Sequence, residues 1–254
     1  MTRSVQSEYT VKLAQTQQDL RAAQQLRYQV FVRELGAGGT AVDHVQQLER
    51  DHFDPHVDHM ILTHAPSGDV VGVYRLLRME QAQAAGSYYS EHEYDLTPLL
   101  SSRRNLLELG RSCLRADVRG GMAMHHLWQG LARYIATHRI EVLFGVASFH
   151  GTDTARLAAP LSLLHHRHLA PEPLRVQARG PSRVAMNMIH QNQIDRRAAM
   201  LQVPSLIKAY LRLGGCVGEG AFVDHSFNTT DVCLVLDTAQ MNARRARIYG
   251  ASPE

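Results

Sequence analysis

Two hydrophobic periods alternate along the chain. Apolar runs of strand length recur at Tyr9 to Ala14, Val57 to Thr63, Asp69 to Leu77, Asn105 to Leu114 and Ile140 to Phe149, then in R-V-A-M-N-M-I and V-C-L-V-L of the last third. Between them lie stretches with the 3.6-residue period of amphipathic helices. Thr16 to Glu34 is the first, with Thr16 as N-cap, Asp19 in the first turn, and Leu20, Ala23, Leu26, Val30 and Phe31 on one face. Arg27 and Arg33 fall on or near its polar flank, where solvation suffices to explain them. Further helices are expected over HHLWQGLARYIATH, from Thr152 and Asp153 to Leu169, and over the proline-started P-S-L-I-K-A-Y-L-R-L. A Pro-Ser-Gly turn joins the second and third strands as an antiparallel hairpin. Residues 36–56 follow neither period and carry glycines and closely spaced acids, so a long mobile loop is expected there.

One strand carries chemistry that its neighbours lack. In N-L-L-E-L-G-R-S-C-L, residues 105–114, a carboxylate and a guanidinium stand among four leucines. Burying them is costly unless they pair with each other or serve a ligand. A regular strand turns Glu108, Gly110 and Ser112 to one side and Leu109, Arg111 and Cys113 to the other. Glu108 and Arg111 share a face only if the strand bulges, and Gly110 is placed to allow that. A register-fixing ion pair and a ligand site both fit this stretch taken alone.

Other polar residues sit where apolar ones are expected. V-V-G-V-Y-R-L-L puts Arg75 on the face of Val71 and Val73, where an arginine needs an anion. E-R-D-H-F-D supplies Glu49, Asp51 and Asp54, which can hold a cationic amine, bind a metal or stay solvated. His52, His56 and His59 nearby imply no metal geometry by their spacing, and no metal is expected. After Leu114, R-A-D-V-R-G-G followed by a helix presents free backbone N–H groups and a positive dipole end, a layout suited to phosphate. It lacks both G-x-x-x-x-G-K-[ST] and G-x-G-x-x-G; otherwise Gly120 and Gly121 only make a tight turn. Asp224, His225, Asn228, Thr229, Thr230 and Asp231 cluster before V-C-L-V-L, pointing into a site or forming a turn with Asx caps. H-H-R-H at 165–168 points its side chains in different directions and reads as a polar helix end.

Composition narrows the picture slightly. A chain of 254 residues, 44% hydrophobic, can bury a sizeable core, and one compact unit over 1–254 is expected. A formal charge of +3 with no basic tract interleaved with aromatics disfavours nucleic acid as partner. Few of the 27 basic residues are lysines, a weak pointer to an anionic ligand or partner. Cys113, Cys216 and Cys233 lack C-x-x-C spacing and are expected as reduced core residues. No apolar run is long enough to span a bilayer, and MTRSVQSEYT is not a secretory signal, so a cytoplasmic place is expected. M-N-A-R-R-A-R-I-Y at the end reads as a basic helix, solvated or facing an anionic partner or the inner membrane face.

The order strand, helix, loop, three strands, phosphate-type turn, helix, strand, helix, strand is that of the GNAT acyltransferase fold. The chain also resembles the bacterial ornithine lipid N-acyltransferases, relatives of the acyl-homoserine-lactone synthases, over nearly its whole length. The resemblance rests on L-R-Y-Q-V-F-V (26–32), E-R-D-H-F-D (49–54), V-D-H (57–59), V-V-G-V-Y-R-L-L (70–77), Y-S-E-H-E-Y-D-L (89–96), L-E-L-G-R-S-C (107–113), L-W-Q-G-L-A-R-Y (127–134), L-F-G-V-A-S-F-H-G-T-D (143–153), L-I-K-A-Y-L-R-L-G (206–214) and F-N-T-T-D-V (227–232). The resemblance implies an α+β fold, a central mixed, mostly antiparallel sheet flanked by helices, with extra C-terminal elements and a family-specific insertion at 170–214.

The resemblance further implies transfer of a 3-hydroxy fatty acyl group from acyl carrier protein to the α-amine of L-ornithine, giving lyso-ornithine lipid. No bound cofactor is expected; the carrier's 4′-phosphopantetheine thioester is the co-substrate. Aminolysis needs a base or water relay and an oxyanion donor, roles that fall to Glu108 and to a backbone N–H near Gly110 or Arg111. Arg27, Asp51, Asp54, Arg75, Glu108 and Arg111 are expected as one charged network holding the amino acid, with Asn228 and Thr229 added to the substrate site. The turn Arg119-Gly120-Gly121 is a residue tighter than the R-x-x-G-x-G/A loop of coenzyme-A-using relatives. Arg115, Arg119, Arg103 and Arg104 are then expected to meet the acidic carrier. Glycine or another amine as acceptor, a lactone-type synthase, and a non-catalytic carrier or lipid sensor stay open at this point.

Overall fold

The computed structural model describes residues 8–241, so nearly all of the basic C-terminal stretch lies outside the described residues. β1 (Tyr9–Leu13) leads into α1 (Gln17–Arg27), whose cap Thr16 accepts the Asp19 N–H at 3.1 Å. The helix then widens into a π-helical turn over Tyr28–Glu34, so the expected single helix is one rod with a change of pitch. Residues 36–56 carry a small hairpin of β2 (Val42–Asp43) and β3 (Leu48–Glu49), and Leu48 and Phe53 are buried. The stretch is a packed wall with regular structure of its own, anchored by apolar residues too sparse to show a period.

β4 (Asp58–His64) and β5 (Val70–Arg78) form the expected hairpin, followed by α2 (Met79–Ala85), β6 (Tyr94–Asp95), α3 (Thr97–Ser101) and β7 (Leu106–Leu114). Next come α4 (Ala123–His138), β8 (Val142–His150), α5 (Ala158–His168), β9 (Gln177–Ala178) and β10 (Arg183–Val184). The chain ends in α6 (Arg196–Gln202), α7 (Ser205–Leu213), β11 (Cys216–Val217), β12 (Ala221–Asp224) and β13 (Thr229–Asp237). Only two residues of R-V-A-M-N-M-I enter a strand, β10.

The main sheet runs β1-β4-β5-β7-β8-β13-β12-β10, with β11 added beside β13. Every pairing along it is antiparallel except β7 with β8. One face packs Leu62, Leu76 and Leu107 of the sheet in one cluster with Leu127 of α4, Leu161 of α5 and Ile207 of α7. The other packs Ile61, Val73 and Cys113 against Ala23 and Leu26 of α1, and Leu77, Phe144 and Val235 against Tyr94 and Leu99. Leu107 and Leu127 have no exposed surface, and each such leucine contributes about 1.5–3 kcal/mol.

The parallel pair places the site. β7 and β8 are nine residues long each, yet pair only at Leu106, Leu107 and Glu108 with Val142, Leu143 and Phe144. Gly145 comes next, and a Cβ there would collide with the Leu109 carbonyl. Beyond that point the strands separate, while β13 follows the far edge of β8 from Val142 to His150. No helix among the described residues is long and apolar enough to cross a membrane.

Candidate active site

The bulge expected in β7 is present, but Gly110 does not carry it. Arg75 pairs with Gly110 and Val73 with Cys113, so Arg111 and Ser112 together oppose Tyr74. Arg111 takes the left-handed conformation, φ 51°, and its side chain thereby joins Glu108 on the face toward α1. A non-glycine residue is rarely held so, and such strain gathers at functional sites.

Arg27 shows how far the fold departs from the helical pattern. Far from being a solvated flank residue, it is 0% exposed, because residues 49–54 fold over α1 and deliver acids to it. Its Nη1 and Nη2 grip Asp54 at 2.9 and 2.7 Å, Nη2 also donates to the Glu49 carbonyl at 2.5 Å, and Nε faces Glu49 Oε2 at 2.6 Å. Arg75 Nη1 reaches both Asp51 oxygens at 2.7 and 2.8 Å and Asp54 at 3.3 Å. Arg111 closes the chain, Nε to Glu49 at 3.0 Å and Nη2 to Asp51 at 3.3 Å. Burial pushes the Asp54 carboxyl up, but Arg27 and Arg75 outweigh it and hold its pKa at about 2. Asp51 is lowered for the same reason, its burial outweighed by Arg75 and Arg111. Three guanidiniums thus answer three carboxylates, and these acids are matched from within the protein.

Glu108 stands outside that chain of ion pairs and does not pair with Arg111. Its oxygens accept the N–H groups of Tyr89 and Ser90 at 2.8 and 2.6 Å, from the short 3-10 turn Tyr89–His92. Burial raises its pKa, and those hydrogen bonds offset the rise only in part. A buried carboxylate held in this way is suited to taking a proton. Tyr89 links it to the network, its ring 4.7 Å from the Arg111 guanidinium, with Phe227 4.6 Å away on another side.

Where β7 and β8 separate, a cavity of about 250 Å³ opens. Glu108, Gly110, Arg111, Arg75 and Tyr89 line its polar part; Leu109, Leu143, Leu206, Leu234 and Leu236 line its apolar part. Thr229 lines it too. Asn228 is exposed and lies off the cavity, in the left-handed turn (φ 53°) that starts β13.

A second acidic group borders the cavity. Glu93, Asp224 and Asp231 bring carboxylate oxygens within 4.8 Å of one another. Burial, then the charges of Asp231 and Asp224, raise Glu93 well above the carboxylate range. Burial likewise lifts Asp231 to about 6, with the Ser148 and Thr229 hydroxyls beside it offsetting only part.

The arginines expected to meet a carrier do not form one surface. Arg103 and Arg104 precede β7 and Arg115 and Arg119 follow it, roughly 30 Å apart at strand rise. Arg104 forks onto Asp237 at 2.7 and 2.6 Å. Arg115 forks onto Asp117 at 2.7 and 3.0 Å, and Arg119 donates to the Leu114 carbonyl at 2.9 Å and pairs with Glu34. Gly120, φ 78°, turns the chain into α4, with Gly121 behind it.

The sequence reading missed Glu93, Tyr89, Phe227 and Gly145. For Gly145 the signal was a glycine inside an apolar strand. For Tyr89 and Glu93 there was only a turn-rich, acidic segment, whose contacts are set by distant strands.

Residues 26–129 match the model of the acetyltransferase (GNAT) domain. The chain is 55% identical over 246 residues to an L-ornithine N(alpha)-acyltransferase of Rhodobacter capsulatus, covering 95% of this chain and 94% of that protein. It is 41% identical to one of Brucella abortus, covering 95% of this chain and 88% of the relative. Among solved structures it is similar in fold to the acyl-homoserine-lactone synthases LasI (TM-score 0.51, 17% identity, 98% of each chain) and BjaI (TM-score 0.53, 12% identity, 97% and 91%).

Proposed function

The chain belongs to the family of L-ornithine N(alpha)-acyltransferases, and we propose that it joins the α-amine of L-ornithine to a 3-hydroxy fatty acyl group delivered as a thioester of acyl carrier protein. The observation that carries this reading is the cavity between the separating strands, charged around Glu108 and Arg111 and apolar among the leucines beyond Leu109. A parallel pair that stops bonding midway leaves backbone donors and acceptors along both inner edges, room for an extended pantetheine arm.

The neutral α-nitrogen attacks the thioester carbon, the C–N bond forms and the C–S bond breaks. Glu108, directly or through a water, takes the proton from nitrogen, and the leaving thiolate is protonated to the free carrier thiol. A backbone N–H at the Gly110–Arg111 bulge faces the developing oxyanion. Arg111 is the arginine of the network with the most exposed side chain, 9% against 3% for Arg75 and 0% for Arg27, and it lines the cavity. It therefore takes the acceptor's carboxylate, with Thr229 nearby, while Arg27, Asp51, Asp54 and Arg75 hold it in place. Arg115, Arg119, Gly120 and Gly121 meet the donor's phosphate side.

The test is a product spectrum. Full chain given 3-hydroxyacyl carrier protein and a mixed amino acid pool with ornithine should release carrier thiol and yield N-acylornithine as the main product by mass spectrometry. Thiol release tied to a different amine, or none, would sink the reading.

A further inference from the structure

Among the described residues, the three carboxylates bordering the cavity make no ion pair, and Arg111 acts on Glu93 and Asp231 only from beyond contact distance. No salt bridge reaches Glu93, Asp224 or Asp231 among the described residues, whereas each acid of the neighbouring network has an arginine. Glu93 is 3% and Asp231 4% exposed, yet Glu93 Oε2 and Asp231 Oδ1 find no hydrogen-bond partner among the described residues. Asp224 spends Oδ1 on the Ser226 and Phe227 N–H groups at 2.7 and 3.1 Å, which fixes the carboxylate at the start of the β12–β13 turn. Buried carboxyls without counter-ions are costly as anions, so here Glu93 and Asp231 hold protons more tightly than usual in the free protein, and a cation arriving from outside supplies the missing partner.

We infer that Glu93, Asp224 and Asp231 form the seat for the side-chain ammonium of the amino acid acceptor, and so select a substrate with a second amine. This deepens the proposed ornithine N-acylation and rests on it. A primary ammonium offers three N–H donors, one for each carboxylate. A calcium or magnesium ion here would fill its shell with bidentate carboxylates or water, so chelation distinguishes that occupant from an ammonium. The seat is also in the right place. Asp224 and Asp231 line the same cavity as Glu108 and Arg111, and Glu93 is near enough for the charges of Arg111 and Glu108 to act on it. One short diamine acid can therefore present its α-amine to Glu108 while its far amine reaches the three acids.

The experiment compares ornithine with norvaline, the same carbon chain without the terminal amine, using full chain and the acyl carrier protein thioester. For Glu93→Gln and Asp231→Asn the ratio of kcat/KM for ornithine to that for norvaline should fall roughly 100-fold, the loss expected when a buried charge pair is broken. Because Asp231→Asn removes a repelling charge and Glu93→Gln replaces a carboxyl that burial already holds protonated, the melting temperature of each without substrate should match or exceed that of the parent, and the ornithine-induced rise should shrink. A folded variant that keeps the parent's preference overturns the inference. So does a parent that uses norvaline as well as ornithine, which leaves amino acid N-acylation standing. Loss of ornithine turnover in EDTA, restored by calcium alone, makes the cluster a metal site and also overturns it. A parent that acylates neither amine overturns the underlying reading, and the inference with it.

Discussion

Two groups of acids share one face of the sheet and have opposite electrostatics. Glu49, Asp51 and Asp54 are matched by Arg27, Arg75 and Arg111, and Asp54 is held at about 2. Among the described residues Glu93 and Asp231 have no such ion pairs, and burial raises both. The acids of the first group have their counter-ions within the protein and brace the floor of the cavity; those of the second, on the inference drawn above, receive theirs from the substrate. Glu108 lies between these extremes, held by two backbone N–H groups and, among the described residues, by no ion pair. The difference separates charges that build the site from charges that serve the substrate, although all are buried acids beside one cavity.

The strongest way to break the comparison is Arg27→Met. Removing the central cation leaves Glu49 and Asp54 buried without their main partner, and the expected loss is about 3–5 kcal/mol of stability. Thermal and urea melts read it directly, and a melting point close to the parent's would show that the network does not brace the fold.

A smaller effect sharpens the contrast. Asp231 has a folded pKa near 6, above its ordinary 3.8, so the folded state binds its proton more tightly. Its contribution to stability is present below about pH 4 and is lost as pH rises through about 6. Asp54, lowered to about 2, does the reverse, and its contribution is lost as pH falls from about 4 toward 2. Asp231→Asn should therefore flatten the decline between pH 4 and 6 and gain on the order of 2 kcal/mol at pH 7. The acid side of the profile, below pH 4, should keep its shape. An unchanged slope from pH 4 to 6 would place the titration elsewhere.

The strands and long helices were legible because each follows one period: β4, β5, β7 and β8 lie where the apolar runs placed them, and α1 starts at its Thr16 cap. The charged network was legible in part. Arg27, Asp51, Asp54, Arg75 and Arg111 come together as the family resemblance implies, but Glu108 joins through Tyr89 and Ser90, and Glu49 takes its place among the ion pairs. Local pattern cannot show such exchanges, since the partners are brought in by residues 49–54 folding over a helix. The same reason hid the burial of Arg27, which the 3.6-residue period assigns to the solvent side. Glu93 was illegible because its neighbours Asp224 and Asp231 arrive from a hairpin more than a hundred residues later. The bulge was foreseen at the right strand, yet the strain sits on Arg111 and leaves Gly110 ordinary.

The most direct measurement is turnover of Glu108→Gln, followed as carrier thiol released with saturating ornithine. Glu108 as the proton acceptor predicts a fall in kcat of roughly 10²- to 10⁴-fold, with KM for the acyl carrier protein thioester nearly unchanged and the fold intact by melting. A folded Glu108→Gln protein that turns over at the parent's rate would contradict the account and leave Glu108 as a peg for the Tyr89–Ser90 turn.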